Sequence, residues 1–283
     1  ARPIGAVLAL QVQMLEAWLL ADAGAFERAF KRARPALPKP PEELWGQRHD
    51  PASNHPHQLY PRVLRDLGVP HNRATAARLA EHADLDVLAR ACPRGFGAFK
   101  RDFERAFRPF DCVVAADAAD GIGRDNDLPW PRLKGDLRSF RQVTSAAPAG
   151  RRNAIVMGRK TWDSIPAKQQ PLPDRWNIVI SRGAPTLPVG VGLAHSLDDA
   201  LTQASLADDI DQIFVIGGGE IYRQGFAHVR CRDVYLTRLD ATYPCDAFIP
   251  PLADRFVAVE TLGHHADAGV DYRIERWRRR GWT

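Results

Sequence analysis

The sequence predicts an α/β protein in which residues 110–283 form a doubly wound, mainly parallel sheet, preceded by a mostly α-helical segment, residues 1–109. Two observations support this prediction. Up to residue 109 the chain is rich in Ala and Leu, with apolar residues three and four positions apart, which is the period of a helix. After Pro109, short runs of β-forming residues alternate with helix-like stretches, and strands separated by helices need crossover connections. We therefore place a domain boundary at Pro109.

The segment 1–109 is predicted to be helical with a solvated surface. Its periodicity predicts helices over 8–34, 60–67, 73–92 and 96–107, and the prolines from Pro35 to Pro41 must end the first of them. The segment also accounts for the net charge of +5, because it holds 17 Lys and Arg against 12 Asp and Glu, whereas residues 110–283 hold 22 of each. Acidic residues lie between the arginines, so the charge indicates a solvated face and not a nucleic-acid surface.

In the second segment the pattern predicts alternating strands and helices. The predicted strands are 110–116, 153–157, 176–181, 212–216, 233–239, 256–262 and 272–277, and the predicted helices are 135–144, 162–165, 197–207 and 220–226. A loop rich in Gly, His and Asp joins the last two strands and suits a hairpin, which makes one edge of the sheet antiparallel. His264 and His265 fall in this loop. Adjacent histidines do not easily chelate one ion, so we expect a surface loop and no metal site.

Composition excludes several classes of protein. Hydrophobic residues make up 45% and charged residues 26% of the chain, the profile of a soluble globular protein and not of a disordered one. The longest apolar stretch, 6–23, contains four polar or charged residues, too many for a membrane span, and no secretory signal is visible. The four cysteines show no spacing typical of a zinc site or a disulfide framework. We therefore expect a cytoplasmic protein with reduced thiols and no membrane partner.

Glycines and cations follow three of the predicted strands, at the point where each strand ends. The motifs are Gly217-Gly218-Gly219-Glu220, Gly158-Arg159-Lys160-Thr161 and Ser181-Arg182. The carboxyl ends of parallel strands lie along one edge of a sheet, where backbone N–H groups and helix N-termini bind anions. Arginine offers forked donors to a phosphate dianion, so we predict a dinucleotide with an extra ribose phosphate. A tight structural turn would use the same glycines, and a solvated loop would use the same cations.

Asp136 is a carboxylate on an otherwise apolar helical face. With helical spacing it shares that face with Phe140, and Leu133 and Leu137 lie on the same side. Such a carboxylate needs a partner when it is buried. The spacing alone favours an Asp136 that caps the N-terminus of the helix.

Several motifs between residues 110 and 280 resemble, in order, those of the dihydrofolate reductase family. They are Gly121-Ile122-Gly123 before Leu128-Pro129-Trp130, Asp136-Leu137-x-x-Phe140, Val156-Met157-Gly158-Arg159-Lys160-Thr161-Trp162-x-Ser164-Ile165-Pro166, Pro171-Leu172-Pro173-x-Arg175-x-Asn177, Ser181-Arg182, Ile216-Gly217-Gly218-Gly219-x-x-Tyr222 and Tyr235-Leu236-Thr237. The resemblance implies a doubly wound sheet, the reduction of 7,8-dihydrofolate to tetrahydrofolate with NADPH, and inhibition by antifolates. Two features depart from the family pattern. They are the charged tip (Arg124, Asp125, Asp127) of the loop 121–130, which matches the mobile lid of the family, and an insertion at 168–170.

The resemblance also implies roles for residues of the substrate site. Asp136 matches the carboxylate that anchors the pterin amino group and ring nitrogens, with the proton reaching the imine nitrogen through a water. Thr237 would hydrogen-bond that carboxylate or the same water, and Trp130 ends the lid, residues 121–130, that closes over the nicotinamide. Arg175 matches the arginine that pairs with the α-carboxylate of the substrate. The other residues matched to the substrate pocket are Val113, Ala115, Leu137, Phe140, Ile165 and Ile216.

A further set of residues matches the binding site of NADPH. Lys160, Ser181 and Arg182 match the pocket for the ribose 2′-phosphate, which implies NADPH in preference to NADH. The remaining matched residues are Ala115, Ile122, Gly123, Gly158, Arg159, Thr161, Gly217, Gly218, Gly219, Glu220 and Tyr222.

The segment 1–109 resembles a different family over two short runs only. Residues 16–22 and the run Cys92-Pro93-x-x-Phe96 are similar to the later part of an uncharacterised bacterial family of unknown function. In a remnant of a phosphoryl-transfer domain Glu16 and Asp22 would be metal ligands. Residues six positions apart do not share one face of a helix, so we expect both to be surface carboxylates. The sequence assigns this segment no function and the chain no oligomeric state.

Two other functions are compatible with parts of the sequence. A related reductase that acts on a ribosylated pyrimidine in flavin synthesis resembles the same fold and shares the cofactor, although Asp136, Phe140 and Arg175 better suit a pterin with a glutamate tail. A nucleic-acid-binding protein would use the basic residues of 1–109, but these are scattered and lack an aromatic stacking pattern. A substrate panel and the salt dependence of binding distinguish these alternatives.

Overall fold

The computed structural model describes residues 12–282 and, of residues 12–14, the backbone only. The described chain divides into two compact units, with the division between Glu104 and Arg105. No helix among residues 12–282 is both long and apolar enough to cross a membrane.

The first unit is helical. Its helices, within the described residues, are α1 (Val12–Ala21), α2 (Ala23–Phe30), α3 (Pro56–Asp66), α4 (Arg73–Glu81), α5 (Leu85–Ala91) and α6 (Phe96–Ala106). The single helices predicted over 8–34 and 73–92 are wrong, because each is divided in two, and residues 8–11 of the first lie outside the described residues. Asp22 and Asp84 begin α2 and α5 by accepting hydrogen bonds from first-turn N–H groups.

The core of the first unit forms where these helices meet. Leu20, Phe26 and Leu64 are fully buried, and the indole of Trp18 packs edge-on against Phe96 at 5.0 Å between ring centroids. The expectation that Asp22 is a surface carboxylate is wrong. It is only 4% exposed, binds Arg28 at 2.6 Å and accepts a hydrogen bond from the backbone of the residue that caps α5. Its conformation is therefore explained by capping and not by a metal.

The second unit is built on an eight-stranded sheet with the strand order β5-β4-β3-β6-β1-β7-β10-β9. The strands of the described chain are β1 (Phe110–Ala116), β2 (Gly121–Gly123), β3 (Arg152–Gly158), β4 (Arg175–Ile180), β5 (Gly192–Ala194), β6 (Ile210–Val215), β7 (Cys231–Leu239), β8 (Ala247–Phe248), β9 (Phe256–Asp267) and β10 (Val270–Arg279). All pairs from β5 to β7 are parallel, whereas β10 pairs antiparallel with both β7 and β9. The predicted mainly parallel sheet with an antiparallel edge is confirmed.

Helices cover both faces of this sheet. They are α7 (Lys134–Ser145), α8 (Arg159–Ser164), α9 (Leu197–Leu206) and α10 (Gly219–Ala227). Successive strand residues point to opposite faces. Accordingly, Val156 packs in the cluster that contains α9 and α10, while Ile155 packs with Trp162 of α8 in the cluster on the other face. Burial on both faces explains why the central strands are continuous apolar runs.

The last hairpin differs from the prediction. Strand β9 continues to Asp267, and the turn is formed by Ala268 and Gly269, which both have positive φ. His264 and His265 therefore lie on a strand, and the prediction of a loop at these positions is wrong. The ring of His265 stacks on Tyr272 of β10, with 5.3 Å between centroids. No group of three or more His, Cys, Asp and Glu residues within 12–282 could hold a metal ion.

Candidate active site

The strands β1, β3, β4 and β6 end at the same edge of the sheet, because they are parallel. Ligands of doubly wound sheets bind at this edge. Most of the site residues predicted from the sequence follow these strand ends, lie on β1 or β7 next to them, or lie on α7. Arg175 differs, because it lies at the beginning of β4 and is paired with Asn153 near the beginning of β3.

Asp136 lies in the first turn of α7 and is held by a residue of the sheet. The hydroxyl of Thr237 on β7 donates a hydrogen bond to Asp136 Oδ1 at 2.7 Å, and Thr237 is in register with Ala115 of β1. The interpretation of Asp136 as the N-cap is wrong, because Leu133 occupies that position and contributes no side-chain cap. The carboxylate is therefore fixed by a tertiary contact and not by its own helix.

Burial sets the electrostatic character of this carboxylate. It raises the pKa of the Asp136 carboxyl above its ordinary value, and the hydrogen bond from Thr237 acts in the opposite direction. Within 12–282 no residue donates a hydrogen bond to Asp136 Oδ2. Each carboxylate oxygen has two acceptor sites, so Oδ1 keeps one site beside the bond from Thr237 and Oδ2 keeps both, and the carboxylate is able to accept two bonds from a ligand.

The apolar residues near Asp136 are partly accessible, although the sheet around them is buried. Leu137 is 37% exposed and Phe140 is half-buried on the same helix. The matched residues Val113, Ala115, Ile165 and Ile216 are likewise half-buried. A mixed apolar and carboxylate surface of this kind suits a flat heteroaromatic ring with N–H donors at one end.

Arg175 is held rigidly at the beginning of β4. It is only 7% exposed, and it donates from Nε to the carbonyl oxygen of Pro173 at 2.9 Å and from Nη1 to Thr144 Oγ1 at 2.6 Å. Its guanidinium lies 5.7 Å from the ring centroid of Phe140. Burial lowers the pKa of Arg175. Its Nη2 donates to no described residue, which leaves part of the guanidinium fork for an anion.

The glycine turn after β6 has a geometry that a side chain would prevent. The peptide bond between Gly217 and Gly218 is cis, and Gly217 has a φ of 139°. A Cβ atom at Gly217 would lie 2.9 Å from Thr161 Oγ1 at the start of α8. Gly218 occupies the N-cap of α10 and provides no side-chain acceptor, so the first-turn N–H groups of α10 are not capped by it.

The predicted cationic residues differ in their pairing. Lys160 and Arg182 are exposed and form no ion pair with a described residue, whereas Arg159 binds Asp163 at 2.7 Å. Glu220 is paired with Arg223, and this hydrogen bond is the main cause of its lowered pKa. The two unpaired cations are the ones that the motif analysis matched to the ribose phosphate.

Two other predicted residues have structural partners. Ser181 Oγ accepts a hydrogen bond from Gly183 N at 3.2 Å, so its hydroxyl still has a proton to donate. Tyr222 is buried and donates its hydroxyl proton to the carbonyl oxygen of Val113 at 2.6 Å. The Tyr222 side chain therefore connects α10 to β1, beneath the edge of the sheet.

Aspartates that the sequence analysis missed hold the lid. Asp117 is fully buried and accepts hydrogen bonds from the N–H groups of Gly121 and Tyr243, both at 2.8 Å. Asp246 Oδ2 accepts from Asp125 N at 3.0 Å. The sequence gives one signal for this arrangement, which is the nearness of Asp117 to the glycines of the lid. The bond from Tyr243 leaves no such signal, because Tyr243 lies 126 positions further along the chain.

Together, a doubly wound sheet, a glycine turn before α10, two cations without an ion pair among the described residues and a half-buried carboxylate are typical of a nucleotide-dependent reductase. The chain belongs to the dihydrofolate reductase family, whose model, described as "Dihydrofolate reductase", matches residues 109–279. The enzymes of this family reduce 7,8-dihydrofolate to tetrahydrofolate with NADPH, and the chain is an NADPH-dependent oxidoreductase of this kind.

Curated relatives agree with the family match. The dihydrofolate reductase of Sus scrofa is 40% identical over 153 residues, which cover 51% of this chain and 81% of the relative. That of Bos taurus is 40% identical over 177 residues, or 60% of this chain and 92% of the relative. A putative dihydrofolate reductase of Human herpesvirus 8 is 47% identical over 142 residues, 49% of this chain and 68% of the relative. These matches favour the folate reductase over the flavin-pathway alternative.

Proposed function

We propose that residues 110–283 are the catalytic domain and that Asp136 anchors the pterin ring of dihydrofolate. The observation that supports this role is the half-buried carboxylate fixed by Thr237, with Oδ2 free of hydrogen bonds from described residues. The amino group and adjacent ring nitrogen of a pterin present two parallel N–H donors, and a carboxylate accepts such a pair. Burial strengthens this charge-assisted contact because water competes less.

In this mechanism Asp136 favours the protonated form of the substrate and does not itself donate the proton. The imine nitrogen takes its proton from a water, and the hydroxyl of Thr237 keeps the carboxylate oriented toward the ring. Trp130 is 5% exposed and forms part of the wall next to α7, so it restricts the access of bulk water. When bound, NADPH supplies the hydride.

The rest of dihydrofolate lies, in our proposal, along the accessible apolar surface toward Arg175. Leu137, Phe140 and Ile165 contact the pterin and aminobenzoyl rings, while Val113, Ala115 and Ile216 line the sheet side. Arg175 pairs with the α-carboxylate through the part of its fork that Pro173 and Thr144 do not use. Antifolates that present the same paired N–H donors to Asp136 would compete for this surface.

The residues at the strand ends fit NADPH. A Cβ would fill the space at Gly217, and Lys160 and Arg182, which form no ion pair with a described residue, are able to bind a phosphate dianion. We propose that Gly158, Thr161, Gly217, Gly218 and Gly219 hold the pyrophosphate, and that Lys160, Ser181 and Arg182 hold the 2′-phosphate. Ala115, Ile122 and Gly123 would flank the nicotinamide. Arg159, Glu220 and Tyr222 act around this site through their partners Asp163, Arg223 and Val113.

The decisive experiment replaces the carboxylate by an amide. We expect Asp136→Asn to lower kcat/KM for dihydrofolate by about 100-fold or more, because the charge-assisted contact is lost. The assay follows NADPH oxidation with and without dihydrofolate. Asp209→Asn is the matched control, since this exposed aspartate pairs with Arg152 at the amino end of the strands. Full activity in Asp136→Asn would contradict the proposed role.

The domain boundary needs its own test. We propose that residues 110–283 contain the whole reductase, because the family match begins at residue 109 and the helix α6 ends at Ala106. The full chain and residues 110–283 should therefore reduce dihydrofolate with the same kcat, after circular dichroism has shown that the shorter chain is folded. A lower kcat in a folded fragment would assign the first segment a part in catalysis. The cytoplasmic location expected from the cysteines stays a prediction.

A further inference from the structure

The helix that bears Asp136 lacks a cap from its own sequence. The N-cap residue Leu133 forms no side-chain hydrogen bond, although the first N–H groups of any helix need acceptors from outside the helix. The last hairpin provides one. Asp267, the final residue of β9, accepts a hydrogen bond through Oδ2 from the N–H of Gly135 at 2.7 Å. The cap of α7 therefore comes from a residue 132 positions further along the chain.

Tyr272 orients this capping carboxylate. Its hydroxyl donates to the same Oδ2 of Asp267 at 2.7 Å, and its ring, which is 1% exposed, is stacked by His265. Burial, helped by Asp267, raises the pKa of Tyr272 to about 12, so the hydroxyl keeps its proton. Tyr272 thus orients the carboxylate that caps α7 at Gly135, one residue before Asp136.

The charge of Asp267 suits this position. The hydrogen bond from the Gly135 N–H, followed by that from Tyr272, lowers the pKa of the Asp267 carboxyl. Asp267 is therefore an anion at neutral pH. An anion at a helix N-terminus is stabilised by the partial positive charge of the unpaired N–H groups.

The local sequence allows this close approach. A Cβ atom at Gly135 would overlap the Tyr272 hydroxyl and would lie 3.1 Å from Asp267 Oδ2. Glycine in the first turn of α7 is otherwise unfavourable compared with alanine. The space that a side chain at position 135 would need is therefore occupied by Tyr272 and Asp267 of the hairpin, next to Asp136 in the chain.

We propose that Asp267 and Tyr272 are positioning residues for Asp136, because together they fix the first turn of α7 and hold the carboxylate in reach of Thr237. The proposal rests on the role proposed above for Asp136. Neither residue touches the substrate in that role. The hairpin β9–β10 acts through the backbone of Gly135, the residue that precedes Asp136.

Steady-state kinetics of hairpin variants test the proposal. We expect Asp267→Ala to raise KM for dihydrofolate about tenfold, within the range of a lost helix cap, and Tyr272→Phe to raise it about threefold. The KM for NADPH should stay within about twofold of the wild type, because Asp267 bonds to α7 and to Tyr272, and not to a residue assigned to NADPH. Asp267→Asn should restore most of the affinity, because an amide oxygen still accepts from Gly135 N.

Asp271→Asn is the matched control on the same hairpin, where the exposed side chain forms no hydrogen bond with a described residue. An unchanged KM for dihydrofolate in Asp267→Ala would overturn the proposal.

A double-mutant cycle separates positioning from a general loss of stability. The dissociation constant of dihydrofolate is measured by the quenching of tryptophan fluorescence, which needs no turnover. In an Asp136→Asn background we expect Asp267→Ala to change this constant by less than about twofold, because the group that it positions is already lost. A tenfold effect in both backgrounds would show that Asp267 acts on the fold and not through Asp136.

Gly135→Ala is an independent variant. It favours the helical conformation of α7, whereas Asp267→Ala removes a cap from this helix. Alanine favours the helical conformation, so a purely local effect would strengthen α7. Our proposal instead predicts weaker binding of dihydrofolate, since the methyl group displaces Tyr272; unchanged or tighter binding would contradict it. If Asp136→Asn is inactive while Asp267→Ala and Gly135→Ala behave as the wild type, only this inference fails. If Asp136→Asn is fully active, the proposed function fails as well.

Discussion

The hydroxyl of Thr237 on β7 donates to Oδ1 of Asp136 on α7 at 2.7 Å, across 101 positions of sequence. It connects the helix that bears the carboxylate to the sheet at the level of Ala115. The bond also opposes the effect of burial on the pKa of the Asp136 carboxyl. The same contact therefore has a geometric and an electrostatic consequence, and both can be measured.

Thr237→Val should shift the pH dependence of the reaction. The hydrogen bond lowers the pKa of Asp136, so its removal raises that pKa further above the ordinary value. Asp136 then becomes protonated at a higher pH, and the increase of KM for dihydrofolate on acidification begins at a higher pH. The measurement is KM for dihydrofolate as a function of pH. Thr202→Val is the control, since the Thr202 hydroxyl bonds only within α9, and a profile unchanged in Thr237→Val would contradict the assignment.

Asp136→Asn should make the protein more stable while it makes it less active. Because burial raises the pKa of Asp136, the folded state binds the proton more tightly than the unfolded state, and the ionised form costs stability above that pKa. We expect Tm to be higher than that of the wild type near neutral pH, because the amide carries no charge that burial would penalise. The difference should disappear as the pH falls below the ordinary pKa of an aspartate. Thermal unfolding at both pH values checks this, and a decrease in Tm near neutral pH would refute it.

Gly217→Ala should weaken NADPH binding and destabilise the fold. The φ of 139° disfavours any side chain, and the new Cβ would lie 2.9 Å from Thr161 Oγ1. The expected loss of unfolding free energy is about 1–3 kcal/mol, the cost of a backbone conformation of this type. Urea unfolding and the dissociation constant of NADPH are the two measurements. Gly183→Ala should leave both unchanged, because no atom lies within 4 Å of a Cβ at that position.

Lys160→Ala and Arg182→Ala should reduce the preference for NADPH over NADH. Each cation is exposed and has no ion-pair partner among the residues that the structure describes, so a 2′-phosphate would be its main partner. We expect kcat/KM with NADPH to fall by about tenfold or more for each variant, and the value with NADH to change by less than about twofold. Arg255→Ala serves as the control for the removal of an exposed positive charge. Equal losses with both cofactors would exclude a phosphate-specific role.

Some features of the first unit could have been predicted from its sequence. Asp22, Asn72 and Asp84 each cap a helix by accepting a hydrogen bond from a first-turn N–H group, and aspartate and asparagine are typical N-cap residues. We predicted continuous helices instead, because the apolar period continues through these positions. The caps determine where the helices begin, while the period determines only which face is buried.

The short strands could not be predicted in the same way. β2, β5 and β8 have two or three residues each, which is less than a period-two pattern needs to be visible. They form because neighbouring segments approach one another, as when β2 pairs with β8 near the lid. Their existence depends on the tertiary structure that surrounds them.

By itself, the sequence determined the class of fold, the order of the long strands and the chemical nature of the site. Buried parallel strands must be apolar throughout, and glycines and cations placed after such strands must meet at one edge, so both leave a local pattern. Only the tertiary structure decided which partner each site residue has. Asp136 is held by Thr237 and, through Gly135, by Asp267, and these contacts join residues more than a hundred positions apart. Hydrogen bonds between distant segments have no period along the chain, because packing alone brings their atoms within 3 Å.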